Sequence, residues 1–347
     1  MPKKLILFAD GTWNKPEQKD RDRISPSNVV KMARALEAYD SSELEQRRFY
    51  DRGVGTEGGL LIKLAGGMTG LGISQNIKDL YKFLINNYES VDFVYCFGFS
   101  RGAYTVRSLS GLLDKCGLLK KEFSDKIKEA YRLYKKRNLS THSPKIVEFR
   151  SKYCVECKIH FLGVWDTVGS LGLPIPGIRL LTRPFYKFHN EKLRPIVQNA
   201  YQALAIDERR KHFSPSLWKK KGAQQYQKIE QVWFPGAHSN IGGGYVDAGL
   251  SDIAFLWMMT KAEECGLKFN NEYIHKKINP DSLGELRNSR KLFYRLFRKY
   301  ERPVLQDENA NEFIHYSALD RLNEITIKYL PKNLINVIEG GMISTTE

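Results

Sequence analysis

The sequence is poor in cysteine, and its few cysteines form no recognisable framework. Five cysteines in 347 residues are too few for a disulfide scaffold. Cys154 and Cys157 form a single CxxC pair, whereas a structural zinc site usually takes two such pairs. His160 is a third potential ligand, but it lies within a predicted strand. We therefore expect no metal, and nothing in the sequence indicates an organic cofactor.

Long apolar runs are also absent. No stretch approaches the roughly 18 uncharged apolar residues of a membrane-spanning helix. Only five apolar residues, 5–9, separate Lys4 from Asp10, which is fewer than the apolar region of a signal peptide contains. We therefore expect the protein to be cytoplasmic, and export by a non-classical secretion system stays open.

Acidic residues are outnumbered by basic ones. The 55 lysines and arginines against 39 aspartates and glutamates give a net charge of +16. This excess favours anionic partners, such as phospholipid surfaces, nucleic acid or acidic proteins. The basic triplets 209–211 and 219–221 are positioned to attract phosphate headgroups. Residues 286–302 have helical spacing with basic residues between aromatic ones, which fits a membrane-surface helix or an ordinary packed helix.

The chain alternates strand and helix patterns, with no internal repeat and no low-complexity tract. This alternation predicts an α/β fold with a mostly parallel sheet and helices on both faces. The length fits one domain spanning residues 1–347. We expect a cap insertion at about 170–225 and a mostly helical part from about residue 250. Predicted strands cover residues 5–9, 48–50, 91–97, 158–165 and 230–234.

The strongest motif is the pentapeptide GFSRG around Ser100, which fits the G-x-S-x-G nucleophile elbow. A predicted strand precedes it and a predicted helix follows it, as the motif requires. Ser100 is therefore predicted to be a nucleophile, with the backbone N–H of Arg101 as one donor of an oxyanion hole. The alternative is a structural serine at an ordinary turn.

A serine nucleophile needs a base and an acid, which follow it along the chain in this type of fold. Asp166 ends one apolar strand and His238 ends another, directly before a glycine-rich loop. These positions predict Asp166 as the triad acid and His238 as the base. Asp166 could instead cap a turn, and His238 could be a structural histidine. His315 is the main rival for the base.

The segment Asp10-Gly11-Thr12 follows the first strand at the same predicted sheet edge. An early loop of this kind normally supplies the second oxyanion N–H. Gly11 or Thr12 is the expected donor, and Asp10 is expected to fix the loop by accepting backbone N–H groups.

Four segments in order carry a family resemblance: FADGTWN, GFSRGAYTVRSLSGLL, FLGVWDTVGSLG and WFPGAHSNIGGGY. Together they resemble the uncharacterised α/β-hydrolase family that includes catalytic domains of type VI secretion phospholipase effectors. The resemblance runs from about residue 5 to residue 254. It implies hydrolysis of fatty-acyl esters of glycerophospholipids, with the nucleophile at Ser100, the acid at Asp166 and the base at His238. Asn240 departs from the family pattern, which often has aspartate there.

The sequence therefore predicts a serine hydrolase that cleaves carboxylic esters, with a phospholipid as the favoured substrate and an anionic membrane as a peripheral partner. One alternative is a soluble carboxylesterase. Another is a non-catalytic basic module that binds membrane or nucleic acid, although no nucleic-acid motif accompanies the basic segments. The sequence does not indicate an oligomeric state.

Overall fold

The computed structural model describes residues 1–11, 14–52, 71–168, 193–220, 222–290, 298–341 and 345–346. Strands and helices alternate along most of this range, and three short 3-10 helices occupy Lys121–Lys126, Lys211–Phe213 and Ile325–Ile327. The strands are β1 (Lys4–Ala9), β2 (Lys19–Asp20), β3 (Arg23–Ile24), β4 (Gln46–Asp51), β5 (Phe93–Phe99), β6 (Leu118–Leu119), β7 (Cys154–Val155), β8 (Ile159–Trp165), β9 (Val197–Ala205), β10 (Lys228–Phe234), β11 (Glu312–His315) and β12 (Thr345–Thr346). The helices are α1 (Asn28–Ala35), α2 (Leu71–Asn87), α3 (Arg101–Cys116), α4 (Ile127–Lys135), α5 (Pro144–Tyr153), α6 (His238–Gly242), α7 (Gly249–Glu264), α8 (Asn271–Lys277), α9 (Tyr316–Asn323) and α10 (Lys332–Glu339).

Eight strands form one sheet in the order β12-β11-β10-β9-β8-β5-β1-β4, and each of these pairings is parallel. The winding reverses at β1, because β4 lies on one side of it and β5 and the later strands lie on the other. In open parallel sheets, ligands bind beyond the carboxyl ends of strands next to such a reversal. The topology therefore points to the loops that follow β1 and β5.

Both faces of the sheet are covered by helices, as the sequence predicted. Strand β1 is buried throughout, and its alternate side chains enter two different cores. Leu5 and Leu7 pack with α2, α3, α4 and α5, whereas Ile6 and Phe8 pack with α1 and α7. A third core lies where α9 and α10 pack on β9, β10 and β11. Burial on both faces explains why β1, β5 and β8 have nearly continuous apolar sequences rather than alternating ones.

The sequence analysis expected residues 170–225 to form a cap. This expectation is wrong for residues 197–205, because they form β9, which lies in the middle of the sheet between β8 and β10. This strand was missed because Gln198, Asn199 and Gln202 interrupt its apolar sequence. Gln202 is fully buried and accepts a hydrogen bond from Thr167 Oγ1 at 2.7 Å, while its amide donates to the Ser216 carbonyl at 3.1 Å. A buried amide is tolerated when both its ends are satisfied. Residues 169–192 of the expected cap lie outside the described residues.

The part beyond residue 250 is helical in α7 to α10, but β11 and β12 also extend the sheet there. The helix predicted at 286–302 is not found in its described parts: residues 286–290 and 298–302 are not helical. The intervening residues 291–297 lie outside the described residues. Arg302 is fully buried instead of facing a membrane. In these described parts, tertiary context outweighs the local helical spacing.

Candidate active site

Ser100 lies at a strained turn between β5 and α3. Its backbone has φ +56° and ψ −116°, a conformation that is costly for a residue with a side chain. The Ser100 N–H donates to the Trp165 carbonyl of the neighbouring strand at 3.0 Å, which helps to hold the turn. A Cβ at Gly102 would lie 2.0 Å from the Ala9 carbonyl oxygen, and one at Gly98 would lie 2.6 Å from the Ala103 backbone. The two glycines therefore permit the close approach of backbone that places Ser100 at the carboxyl edge of the sheet.

The structure brings Ser100, Asp166 and His238 together. The distance from His238 Nε2 to Ser100 Oγ is 2.8 Å, and the distance from His238 Nδ1 to Asp166 Oδ2 is 2.5 Å. The three residues follow β5, β8 and β10, whose carboxyl ends meet at one edge of the parallel sheet. An ionised carboxylate only accepts hydrogen bonds, so Nδ1 carries the proton and Nε2 is free to accept one from the serine hydroxyl.

His315 does not occupy the position of the base. Its Nδ1 lies 2.8 Å from Ser317 Oγ and accepts from the Ser317 N–H, so it caps the start of α9. Its ring stacks on Phe234 with a centroid separation of 4.5 Å. Burial lowers the pKa of His315 to about 4, so this imidazole stays neutral at physiological pH.

Two aromatic rings hold the His238 imidazole. The Phe99 ring lies 4.7 Å from it, and the Phe213 ring meets it edge-on at 5.1 Å, both measured between ring centroids. A Cβ at Gly242 would lie 2.0 Å from the Phe99 ring, so this glycine makes room for the ring beside the imidazole. Packing therefore restricts the orientation of His238 in addition to its hydrogen bonds.

Arg302 contacts the candidate site, and the sequence analysis did not identify it as a site residue. Its Nη1 donates to Asp166 Oδ1 at 2.5 Å and its Nη2 donates to Asp166 Oδ2 at 3.0 Å, with both side chains fully buried. Burial acts to raise the pKa of Asp166, but the Arg302 charge and the hydrogen bond from His238 outweigh it. The pKa of Asp166 is thus held well below its ordinary value, and this carboxylate stays ionised. No spacing or motif in the sequence links these two residues.

A second buried carboxylate, Glu208, supports the backbone of His238. The His238 N–H donates to Glu208 Oε2 at 3.4 Å, and Arg210 forms a fork on Glu208 with two bonds of 2.8 Å. Burial favours a higher pKa for Glu208, but Arg210 lowers it overall. Arg209 likewise pairs with Asp207. The sequence analysis expected the triplet 209–211 to attract phosphate headgroups. This expectation is corrected for Arg209 and Arg210, because carboxylates of the protein already pair with these two side chains.

Asn240, the departure from the family pattern, has a defined structural role. Its Oδ1 accepts from the Ala237 and Arg287 backbone N–H groups, each at 3.2 Å. Its Nδ2 donates to the Glu285 carbonyl at 2.9 Å. An aspartate could make the first two contacts but not the third, because it has no N–H to donate. The asparagine thus ties the loop at 285–287 to the helix that begins with His238.

The structure bears differently on the three expected oxyanion donors, Gly11, Thr12 and Arg101. The Gly11 N–H donates to Asp10 Oδ1 at 2.7 Å. This amide is already engaged, which corrects the expected role of Gly11 as the second donor. Thr12 lies outside the described residues. Arg101 is the first residue of α3 and directly follows Ser100, and its role as an oxyanion donor stays a prediction.

Asp10, which directly follows β1, accepts one of the backbone N–H bonds that the sequence analysis expected, and its other donors in the described residues are side chains. Its two oxygens accept four hydrogen bonds: Oδ1 from the Gly11 N–H and Asn14 Nδ2, and Oδ2 from the hydroxyls of Ser27 and Tyr50. Three of these bonds measure 2.7 Å and the bond from Asn14 measures 3.1 Å. Burial raises the pKa of Asp10, and the hydrogen bonds only partly offset this effect.

The two cysteines of the CxxC pair are free thiols, and Cys157 is buried. Burial raises the pKa of both Cys154 and Cys157 to about 12, so both thiols are protonated near neutral pH. His160 Nδ1 lies 2.7 Å from Gln198 Oε1. Across the described ranges, no group of three or more His, Cys, Asp or Glu side chains is arranged to hold a metal ion.

The parallel sheet, the strained serine turn and the adjacent histidine and aspartate define an α/β-hydrolase-like protein. The chain belongs to the family of type VI secretion system Tle1-like phospholipase effectors, whose catalytic-domain model matches residues 3–261. None of the helices in the described residues is long and apolar enough to span a membrane.

The chain is also similar to individual proteins over part of its length. The chain is 31% identical over 236 residues to uncharacterized protein YEL023C of Saccharomyces cerevisiae, a match that covers 61% of this chain and 32% of that protein. The chain thus spans about a third of the length of this curated relative. A crystal structure of an uncharacterized protein from Pseudomonas aeruginosa is similar with a TM-score of 0.48 and 16% identity, over 81% of this chain and 49% of that one. A structure of the Tle1 effector bound to the VgrG spike of the type 6 secretion system has a TM-score of 0.35 and 20% identity, over 72% and 52% of the two chains.

Proposed function

We propose that this protein is a serine hydrolase that cleaves carboxylic esters through an acyl-enzyme. The observation that carries the proposal is the continuous hydrogen-bonded series from Ser100 through His238 to Asp166. A serine hydroxyl is a weak nucleophile on its own, and a positioned base activates it. His238 Nε2 is at hydrogen-bonding distance for this role, and ionised Asp166 fixes the opposite nitrogen.

The proposed reaction has two halves. Ser100 Oγ attacks the ester carbonyl carbon while its proton moves to His238 Nε2. The C–O bond to the alcohol then breaks, and the leaving oxygen takes the proton from His238. Water attacks the resulting acyl-enzyme with His238 again as the base, which releases the fatty acid and regenerates Ser100. Throughout, the negative charge of Asp166 stabilises the transient imidazolium.

The turn after β5 also suits the negative charge that develops on the carbonyl oxygen. Ser100 precedes the first residue of the 16-residue helix α3, and the N-terminus of a helix favours negative charge. We propose the Arg101 N–H as one oxyanion donor. Removal of a single such donor costs about 10²–10³-fold in kcat in other serine hydrolases.

We propose an acyl ester of a glycerophospholipid as the substrate, because the family is one of phospholipase effectors. The net charge of +16 supports peripheral contact with an anionic membrane surface. Membership of a family of secretion-system effectors supports export by a dedicated secretion system.

A soluble carboxylesterase is the second candidate, and a specific observation favours it. Arg209 and Arg210, which lie next to the site, form ion pairs with Asp207 and Glu208 rather than presenting free charge to a membrane. Hydrolysis of anionic vesicles, neutral vesicles and a soluble short-chain ester separates the candidates. A phospholipase of the proposed kind hydrolyses anionic vesicles faster, and added salt narrows the difference. Activity confined to the soluble ester would instead establish the second candidate.

Replacement of the nucleophile tests the chemistry itself. Ser100→Ala should lose labelling by a fluorophosphonate and should lower kcat by on the order of 10⁶-fold if the triad acts as a unit. Ser110→Ala is the matched control, because Ser110 lies on the same helix and its hydroxyl donates only to the Arg107 carbonyl, at 2.7 Å. Near wild-type turnover by a folded Ser100→Ala protein contradicts the proposal.

A further inference from the structure

Arg302 reaches the active site from a part of the chain beyond the family match, which ends at residue 261. We propose that Arg302 is a positioning residue of the hydrolase, holding Asp166 ionised and in the orientation that His238 requires. The proposal rests on the proposed function, because it assigns Arg302 a role through Asp166. It places part of the catalytic support in the segment after α8.

The contacts of the guanidinium are directional. Besides the two bonds to Asp166, Nη1 donates to the Ala205 carbonyl at 3.0 Å and Nη2 donates to the Phe213 carbonyl at 2.5 Å. All four N–H groups of the two terminal nitrogens therefore have an acceptor. The Ala205 N–H donates in turn to Asp166 Oδ1 at 3.2 Å. The planar fork thus fixes Asp166 against the end of β9 and against the loop whose Phe213 ring packs on His238.

The backbone of Arg302 is itself anchored. Its carbonyl accepts from the Val304 N–H at 3.0 Å and from Asn333 Nδ2 at 3.2 Å. Asn333 Nδ2 also donates to the Ile206 carbonyl at 3.0 Å, directly after β9. Helix α10, which carries Asn333, therefore couples the Arg302 segment to the same sheet edge as the triad.

The charge of Arg302 offsets the burial of Asp166. Among the residues that the structure describes, two charged or titratable groups bond directly to Asp166, namely Arg302 and His238. Glu208 interacts electrostatically with both of them and is itself paired with Arg210. Without Arg302, Asp166 would be a fully buried carboxylate that has only the imidazole as a cationic partner. Its protonated form would then be favoured, and a protonated Asp166 cannot stabilise the imidazolium.

The main test is the pH profile of kcat/KM for Arg302→Met. We expect kcat/KM to fall by tenfold or more, toward the roughly 10⁴-fold that a triad loses when its carboxylate no longer orients the histidine. We also expect the acidic limb of the profile to move to higher pH, because Asp166 then binds a proton more readily. Added guanidinium ion should restore part of the activity in Arg302→Ala, and Arg302→Lys should retain an intermediate rate because it keeps the charge but not the fork.

Loss of a buried ion pair can act through stability alone, so a matched control is needed. Lys31 pairs with Asp252 at 2.5 Å, with side chains that are 6% and 2% exposed. In the described part of the chain, neither residue hydrogen-bonds to the triad. Lys31→Met should lower the thermal midpoint as a buried ion-pair loss does, yet keep the shape of the pH profile and show no response to guanidinium.

Asp166→Asn separates the inference from the proposed function. If Asp166→Asn keeps full activity, the proposed triad fails. If Asp166→Asn inactivates the enzyme but folded Arg302→Met retains the wild-type pH profile, the positioning role alone is overturned. In the Asp166→Asn background, the further change Arg302→Met should alter kcat/KM less than twofold, because the arginine has no carboxylate to act through. Should Arg302→Met fail to fold, the pH profile of Arg302→Lys decides, and an unshifted acidic limb with the wild-type rate overturns the role.

Discussion

Helix α3 lies so close to the end of β1 at Gly102 that a methyl group added there should destabilise the fold. The same change of glycine to alanine at Gly111, on the same helix, provides the comparison. At Gly102, an added Cβ would lie 2.0 Å from the Ala9 oxygen, 2.5 Å from the Ala9 carbonyl carbon and 2.6 Å from the Asp10 oxygen. At Gly111, the nearest atoms are Cε2 and the hydroxyl oxygen of Tyr134, each at 3.1 Å. The first obstacle is the backbone at the end of β1, a strand that is paired on both sides, whereas the second obstacle is a side chain that can shift.

The magnitudes follow from these distances. Close C···O contacts in proteins measure about 3.3–3.6 Å, so Gly102→Ala requires a displacement of more than about 1 Å. Pairing with β4 on one side and β5 on the other holds β1 in place. Overpacking of a well-packed core costs about 1–3 kcal/mol and occasionally more, and we expect the upper end of this range. Gly111→Ala gains up to about 1 kcal/mol of helix propensity and needs a shift of only a few tenths of an ångström.

Urea unfolding followed by tryptophan fluorescence measures both variants. Gly102→Ala should lower the free energy of unfolding by about 3 kcal/mol, whereas Gly111→Ala should stay within about 1 kcal/mol of the wild type. Because Ser100 directly precedes α3, the displacement at Gly102 should also lower kcat, and a misplacement of about 1 Å can cost 10²-fold. Equal stability and equal kcat in the two variants would refute the reasoning.

Two further predictions concern buried carboxyl groups. In Asp10→Asn, the amide nitrogen cannot accept a hydrogen bond, so two of the four donors to Asp10 lose their acceptor. Urea unfolding should therefore show that the free energy of unfolding falls by on the order of 1–3 kcal/mol. An unfolding free energy equal to that of the wild type would contradict this prediction. Burial raises the pKa of Glu312 to about 7, against a hydrogen bond from Trp233 Nε1 at 2.7 Å that acts to lower it. The unfolded state ionises first, so this group makes stability fall as pH rises from about 4.5 to about 7. Glu312→Gln should therefore have a smaller drop in thermal midpoint between pH 5 and pH 8 than the wild type, and an undiminished drop would exclude Glu312 as its source.

The strands that precede the proposed triad could be predicted mainly from their apolar residues, because parallel strands are buried on both faces. Strands β5 and β8 are nearly continuous apolar runs, whereas β10 also contains Glu230 and Gln231 and is continuously apolar only in its last three residues. Ser100, Asp166 and His238 follow these three strands along the chain. Carboxyl ends of parallel strands meet at one sheet edge, so Ser100, Asp166 and His238 were expected to converge. Strand β9 could not be predicted in this way, because its buried Gln202 interrupts the apolar pattern. The hydrogen-bond partners that allow this burial, Thr167 and Ser216, are distant in the sequence.

What the sequence by itself determined is the alternation of strand and helix, the elbow around Ser100 and the order of the residues that follow the strands. These properties depend on local periodicity and on residues near one another in the chain. Only the tertiary structure decided that the Gly11 amide is bound to Asp10, that Arg210 is neutralised by Glu208, and that Arg302 pairs with Asp166. Ion pairing and burial depend on distances in space, and Arg302 lies 136 residues from Asp166 along the chain. Arg302 ends a segment whose spacing fitted either a membrane-surface helix or an ordinary packed helix. In the tertiary structure it is fully buried and pairs with Asp166, because a buried charge requires a partner of opposite charge.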